Sequence, residues 1–377
     1  MFAPGVRQPS HVRGRAFPLV LGVLVIGGML IAWAFLAASP LRNESLSAPL
    51  PAISPESVRS VAYIVPGRER DYLYVRSVDG GRPRILDSFP TVSFANLHAR
   101  GAAAPTADRI AVLSVADPGK ASAQMTLIDV NGGGRQIQGV AFDYLSPLAW
   151  SADGQLLAGV VSQPANEGPG SGAEVLVVNA ATGEPAVAAH FDNVFQVAPV
   201  GYSIDRERLF VVAIDQSGSA LWAIRNGKSQ KVATLSTGRT RDWSLSPDGS
   251  RLAFVDIVPA GERSYAGRTL LIATGAVTDS ASNGNELGPG WMPGAQVPVF
   301  GGPGGGIRLN PPSPEGAYVV PASWAPDGTM LVATIYSASS DRSAPPEESV
   351  ELVTSTTRVR LAEEPGVRFL GWVHNIE

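Results

Sequence analysis

The sequence predicts an all-β fold: a six-bladed β-propeller with velcro closure, preceded by one N-terminal transmembrane helix. Three observations lead there. A strand–turn–strand segment recurs at a period in the forties. The first and last units of the repeat are complementary fragments. A stretch of 22 uncharged residues near the N-terminus stands apart from everything after it.

The apolar stretch comes first in the chain. Phe17 to Ala38 carries no charge. At 1.5 Å per residue it can span a hydrocarbon core of roughly 30 Å. Arg7, Arg13 and Arg15 precede it, which places residues 1–16 in the cytoplasm as a basic leader and the rest of the chain outside. A cleaved signal peptide is the rival reading. Its core is usually shorter, and its best cleavage site, Ala37-Ala38-Ser39, would leave Pro40 just after the cut. Residues 39–57 are rich in Ser and Pro and read as a spacer. The expected location is therefore the cell membrane: single-pass, N-terminus cytoplasmic, propeller extracytoplasmic.

Residues 58–377 carry the repeat. "LAWSADGQLLAGVV", "WSLSPDGSRLAFVD" and "ASWAPDGTMLVATI" align on Asp153-Gly154, Asp248-Gly249 and Asp327-Gly328. Three residues before each Asp stands a large apolar residue: Trp150, Leu245 or Trp324. Gly supplies the positive φ of a tight turn, and the Asp side chain caps the following amides. Tyr202 with Asp205, and Ala103 with Thr106, mark degenerate copies. A second hairpin follows each copy, so a unit has four strands, the signature of a propeller blade.

Between these marker residues the spacings are 47, 52, 43, 79 and 48 up to Trp372. The long interval predicts one blade plus a long inter-blade loop at 282–316. After Trp372 only five residues follow, so its unit has a first strand and nothing else. The domain begins with "VRSVAYIV", "DYLYVRSVDGG" and "RPRILDS", a blade lacking its first strand. The C-terminal strand "GVRFLGWVH" should therefore complete that blade and remove two open sheet edges.

These copies resemble the TolB-type propeller repeat, whose core reads roughly W-S-P-D-G-x-x-[IL]-[AV]-[FY]. Ser246-Pro247-Asp248-Gly249, Ala325-Pro326-Asp327-Gly328 and Ser151-Ala152-Asp153-Gly154 carry the resemblance, which extends over about Val58 to Glu377. It implies the propeller, also described as WD40-like, and not a whole TolB. TolB has a separate N-terminal α/β domain that residues 39–57 are too few to form.

Composition narrows the function. A net charge of −4 provides no basic face for nucleic acid. With no cysteine, there is no disulfide framework, Cys-based metal site or lipidated Cys. His11, His98, His190 and His374 are the only histidines, and no nucleophile elbow or zinc-protease helix is present. The sequence thus offers no catalytic set, metal ligands or cofactor motif. "GGPGGG" at 301–306 lacks the context of a phosphate-binding loop and reads as a flexible linker.

The strand two-to-three loops and the blade connections share one propeller face, and the long segments 163–172, 256–267, 282–316 and 337–348 all map there. Long loops on a rigid scaffold carry binding function. Trp291 and Phe300 in the insertion are candidate contact aromatics, with plugging of the channel as the alternative. Arg241 and Asp242 enter an inner strand and are candidate channel-lining residues, with pairing to each other or to a neighbouring blade as the alternative. Asp153, Asp205, Asp248 and Asp327 read as turn caps, and Trp150, Trp324 and Trp372 as inter-blade packing.

The reading is a non-catalytic protein-binding or scaffold module at a bacterial cell envelope, with an envelope protein as partner and the membrane held by the N-terminal helix. The alternatives are a hydrolase or lyase with a carboxylate-lined channel, or a sensor of a small envelope ligand or metal.

Overall fold

The computed structural model describes residues 58–377 apart from 92–96, 118–121, 164–170, 259–263, 281–283, 304–315, 338–346, 363 and 375–377. The expected leader, membrane helix and spacer lie outside the described residues. Ala48–Glu377 form one compact unit.

The described elements are all strands, in six sheets. Blade one contains Ser60–Val65, Arg70–Ser77 and Arg84–Pro90, with Arg368–Val373 as its inner strand. That inner strand runs antiparallel to Ser60–Val65, with Ser60 opposite Val373 and Val61 opposite Trp372. The C-terminal strand therefore closes the N-terminal blade. Blades two to five begin with inner strands Arg100–Ala103, Ala149–Trp150, Gln196–Tyr202 and Thr240–Leu245. Blade six begins with Tyr318–Trp324.

The recurring motif has a hydrogen-bond basis. The Ser246 hydroxyl donates to Asp248 at 2.5 Å and accepts the Arg251 amide at 2.9 Å. Ser151 does the same with Asp153 (2.6 Å) and the Leu156 amide (2.9 Å). Ser203 binds Asp205 and takes the Arg208 amide at 3.0 Å. Each Ser-x-Asp pair thus fastens both sides of the turn. In blade six, which has Ala325 instead, Asp327 accepts the Thr329 amide and hydroxyl. Gly154, Gly249 and Gly328 have φ between 64° and 73°. Arg206 and Ala107 stand at the matching position of the degenerate copies and hold φ of 62° and 61°. The turn keeps its shape without Gly, at a backbone cost of about 1 kcal/mol.

Every marker residue packs onto the preceding unit. Trp150 lies in the core between blades two and three, Tyr202 between three and four, and Leu245 between four and five. Trp372 packs between six and one, and Ala103 between one and two. Between blades five and six the pattern doubles, and here the structure corrects the sequence reading.

The 282–316 segment is not simply a long loop. Leu287–Gly290 and Val299–Pro303 form an antiparallel hairpin. Its second strand joins blade six through Gly302–Val319 and Pro303–Tyr318. Trp291 packs on Ala253 and Val255 of blade five together with Phe300. Its indole N–H donates to the Ser244 carbonyl at 3.0 Å, as that of Trp150 donates to the Ala102 carbonyl at 3.0 Å. Both carbonyls belong to the residue just before the marker of the preceding blade.

The glycine before Trp291 repeats a second feature. A Cβ on Gly290 would lie 2.6 Å from Trp324. Likewise, one on Gly371 would lie 2.6 Å from Ala103, and one on Gly201 2.7 Å from Leu245. In all three cases the residue that needs the space is the next marker. Trp291 therefore occupies a marker position 46 residues after Leu245, and among the described residues the hairpin is a blade reduced to its first two strands.

Two predictions follow from this packing. Trp291→Ala should destabilise the domain by about 3–5 kcal/mol, the cost of emptying a buried aromatic site. Urea unfolding will measure it, and a change under 1 kcal/mol would remove the hairpin from the core. The second concerns acid. Burial pushes the Asp153, Asp205 and Asp248 carboxyls up, but the Ser hydroxyls, turn amides and nearby arginines outweigh it and leave all three below the ordinary value. A depressed pKa gives stability that is complete above the ordinary carboxylate value of about 4 and is lost as pH falls through the folded one. Replacing all three by Asn should lower the melting temperature at pH 7 and flatten its fall between pH 5 and pH 2. An unchanged acid profile would separate these turns from acid stability.

Candidate functional site

The reduced blade leaves an open cavity of about 580 Å³ between blades five and six. Blade five contributes Arg241, Asp242 and Tyr265; the connection and hairpin contribute Asn285, Leu287 and Gly288; blade six contributes Tyr318, Val320 and Tyr336. Arg241 opens the inner strand of its blade, Tyr265 follows the strand two-to-three loop, and Tyr336 precedes one. The cavity is therefore on the long-loop face.

Its polar centre is held firmly. Asp242 lies in a β-bulge, since Arg241 pairs with Val255 while the next pairing is Ser244 with Ala253. Its φ is +53°, a left-handed conformation that Asp tolerates better than most residues. One carboxylate oxygen accepts the Gly288 amide at 3.1 Å, which ties blade five to the hairpin. The other lies 3.1 Å from Arg241 Nε. The Arg241 guanidinium also sits over the Tyr265 ring, 5.8 Å from its centre. Asn285 accepts the Ser264 and Tyr265 amides at 2.6 and 3.0 Å, fixing the start of that strand. Burial pushes the Tyr336 hydroxyl pKa up, the charges of Glu348 and Asp242 add to this, and Arg241 opposes it.

The structure brings Arg241 and Asp242 together as an ion pair, the mutual pairing raised as the alternative, and places both against the cavity between blades five and six. Trp291 and Phe300, expected either to contact a partner or to plug the channel, are 8% and 7% exposed and are spent on the core between the hairpin and blade five. A two-stranded unit needs an apolar anchor, and these two rings are it. Tyr265, Tyr318 and Tyr336 were not legible as a group. Each lies in a different strand, and only the ring geometry gathers them.

The same face carries exposed apolar side chains on the connections between blades. Phe195 is 49% exposed with Arg239 5.5 Å above its ring, and Leu145 is 62% exposed. None of the described histidines lines the cavity. His98 is engaged by Asp71 and Thr91 at 2.9 and 3.0 Å. The fully buried Asp71 also accepts the Ala99 and Gly67 amides, joining blades one and two. His190 lies beside Asp192 in the outer strand Pro185–Val194 of blade three.

Asp242→Gly retains the left-handed backbone and loses both carboxylate contacts, whereas Asp242→Ala loses the contacts and adds strain. The Ala variant should be less stable than the Gly variant by about 1 kcal/mol in urea titrations. Equal stability would show that the bulge relaxes and stores no strain.

No family model matches the chain, and no curated protein matches it. Among solved structures it is similar to TolB from Acinetobacter baumannii, at 16% identity and a TM-score of 0.47, over 82% of this chain and 65% of that one. It is similar to an oligogalacturonate lyase in complex with manganese, at 14% identity and a TM-score of 0.53, over 75% and 82%. A prolyl endopeptidase matches at 13% identity and a TM-score of 0.54, over 94% of this chain and 56% of that one. At these identities the likeness is one of fold. The chain is a six-bladed β-propeller whose structural neighbours include TolB proteins and propeller-bearing enzymes.

Proposed function

We propose that the chain is a membrane-anchored, extracytoplasmic propeller that serves as a non-catalytic protein-binding module at the bacterial cell envelope, with the long-loop face as its working surface. The observation that carries this reading is the coincidence on one face of the cavity beside the reduced blade and exposed Phe195, Arg239 and Leu145. Aromatic residues and arginine dominate the energetics of protein interfaces. Asp242 is the carboxylate that lines the cavity, with its oxygens engaged by Arg241 and Gly288, and Glu348 beside it is engaged with Tyr336. A hydrolase or lyase working through a carboxylate pair would need a different arrangement. The cavity also fits the range of about 300–1,000 Å³ typical of small-ligand sites, which favours a small envelope ligand as the second reading. The uncharged 17–38 segment behind three arginines supports the location.

A photo-reactive amino acid placed at Phe195 in the full chain, in its own membrane, should give a cross-linked adduct of defined mass. The same group at Val187, equally accessible on an outer strand, should give none. Identical patterns from both positions would remove the long-loop face as the working surface. Protease added to intact spheroplasts should digest the propeller while leaving a membrane-bound stub. A soluble product beginning near Pro40 would identify residues 17–38 as a cleaved signal.

A further inference from the structure

We propose that the cavity between blades five and six takes a carboxylate carried beside an apolar or aromatic group, with Arg241 as its recognition residue. This rests on the reading of the long-loop face as the working surface. Arg241 is half-exposed and is oriented by two neighbours. Its Nε is 3.1 Å from Asp242, and its plane lies over Tyr265 at 5.8 Å. Asp242 is itself held by the bulge and by the Gly288 amide. Among the described residues no hydrogen bond engages the two Nη groups.

A guanidinium oriented in this way presents a planar fork, which matches the two oxygens of a carboxylate. Orientation in advance also lowers the entropy cost of binding. A polar anchor of this kind accounts for only part of a cavity of about 580 Å³. Tyr318, Tyr336, Leu287 and Val320 supply the remaining wall, which suits an aromatic or branched aliphatic group attached to the acid.

Among the described residues, Asp242 and Glu348 are the carboxylates whose charges act on Tyr336 of this wall. The ion pair with Arg241 balances the first. Glu348 disfavours a dianion such as a phosphate ester more than a monoanion, and it offers a counter-charge to an ammonium group. Two sources share the recognised chemistry: the C-terminus of a peptide, and a free apolar α-amino acid.

Calorimetry on the full chain in detergent distinguishes them, using N-acetylphenylalanine, its primary amide and free phenylalanine as probes. N-acetylphenylalanine should bind at least tenfold more tightly than the amide. Arg241→Lys, which keeps the charge and loses the fork, should weaken it at least tenfold. Glu348→Gln should tighten it severalfold by removing a like charge. Ile85→Ser, on the exposed outer strand of blade one, should leave it unchanged and controls for the preparation. Free phenylalanine binding at least tenfold more tightly than its N-acetyl form, with that gain lost in Glu348→Gln, would assign the amino acid as the source. The reverse order would assign the peptide terminus.

Equal binding of acid and amide overturns the proposal. So does an affinity within twofold of the parent in Arg241→Lys, provided its melting temperature is unchanged. If no probe binds while the Phe195 adduct persists, the ligand class falls and the surface reading stands. If the adduct is also absent, both fall.

Discussion

The ring depends on one constraint: each unit must bury a large marker side chain against the unit before it. Trp150, Tyr202, Leu245, Trp291, Trp324 and Trp372 all sit at this position, with Ala103 as the small exception. Apolar burial of this kind is the main favourable term in folding. A sheet that could not fill its neighbour's interface would leave a cavity along its length. The hairpin at 287–303 satisfies the constraint with two strands. Trp291 and Phe300 fill the face of blade five, and the close approach at Gly290 and Gly301 meets blade six.

What the hairpin leaves unfilled is as informative as what it fills. A full blade would continue outward with a third and fourth strand. Among the described residues the hairpin has only the first two, and the cavity lined by Arg241 and the three tyrosines lies beside it at the long-loop end. The strained backbone of Asp242 belongs to the same event. Its carboxylate holds the hairpin through Gly288 and orients Arg241 at once, so a single bulge serves both the joint and the site. Left-handed non-glycine residues of this kind cost of order 1–3 kcal/mol and persist where surrounding contacts determine them.

The fold was largely legible in the sequence because its turn has specific chemistry. Asp153, Asp248 and Asp327 stand at a fixed distance from an apolar marker, and the degenerate copy at Asp205 is recoverable from that spacing. The closing strand was legible because two incomplete blades stood at the two ends of the repeat. The hairpin was not. "WMPGAQVPVF" keeps the marker and the turn but replaces Ser-x-Asp-Gly by Met-Pro-Gly, and its setting is rich in Gly and Pro. An aromatic residue in such a segment reads the same whether it faces solvent or a core. Arg241 and Asp242 were legible as adjacent charges entering an inner strand. Their tyrosine neighbours were not, because proximity across two blades and a hairpin has no local signature.

The two faces of the propeller differ in what they ask of the sequence. On the turn face, Ser hydroxyls and Asp carboxylates repeat the same three-point closure in blades three, four and five. On the other face the connections obey no such rule. Asp71 there ties the Gly67 and Ala99 amides and His98, while Phe195 and Leu145 are left exposed on equivalent connections. A scaffold rigid on one side and irregular on the other can change its ligand without changing its core. That division explains why the repeat identifies the architecture so clearly, while recognition must be read from the one place where the repeat is broken.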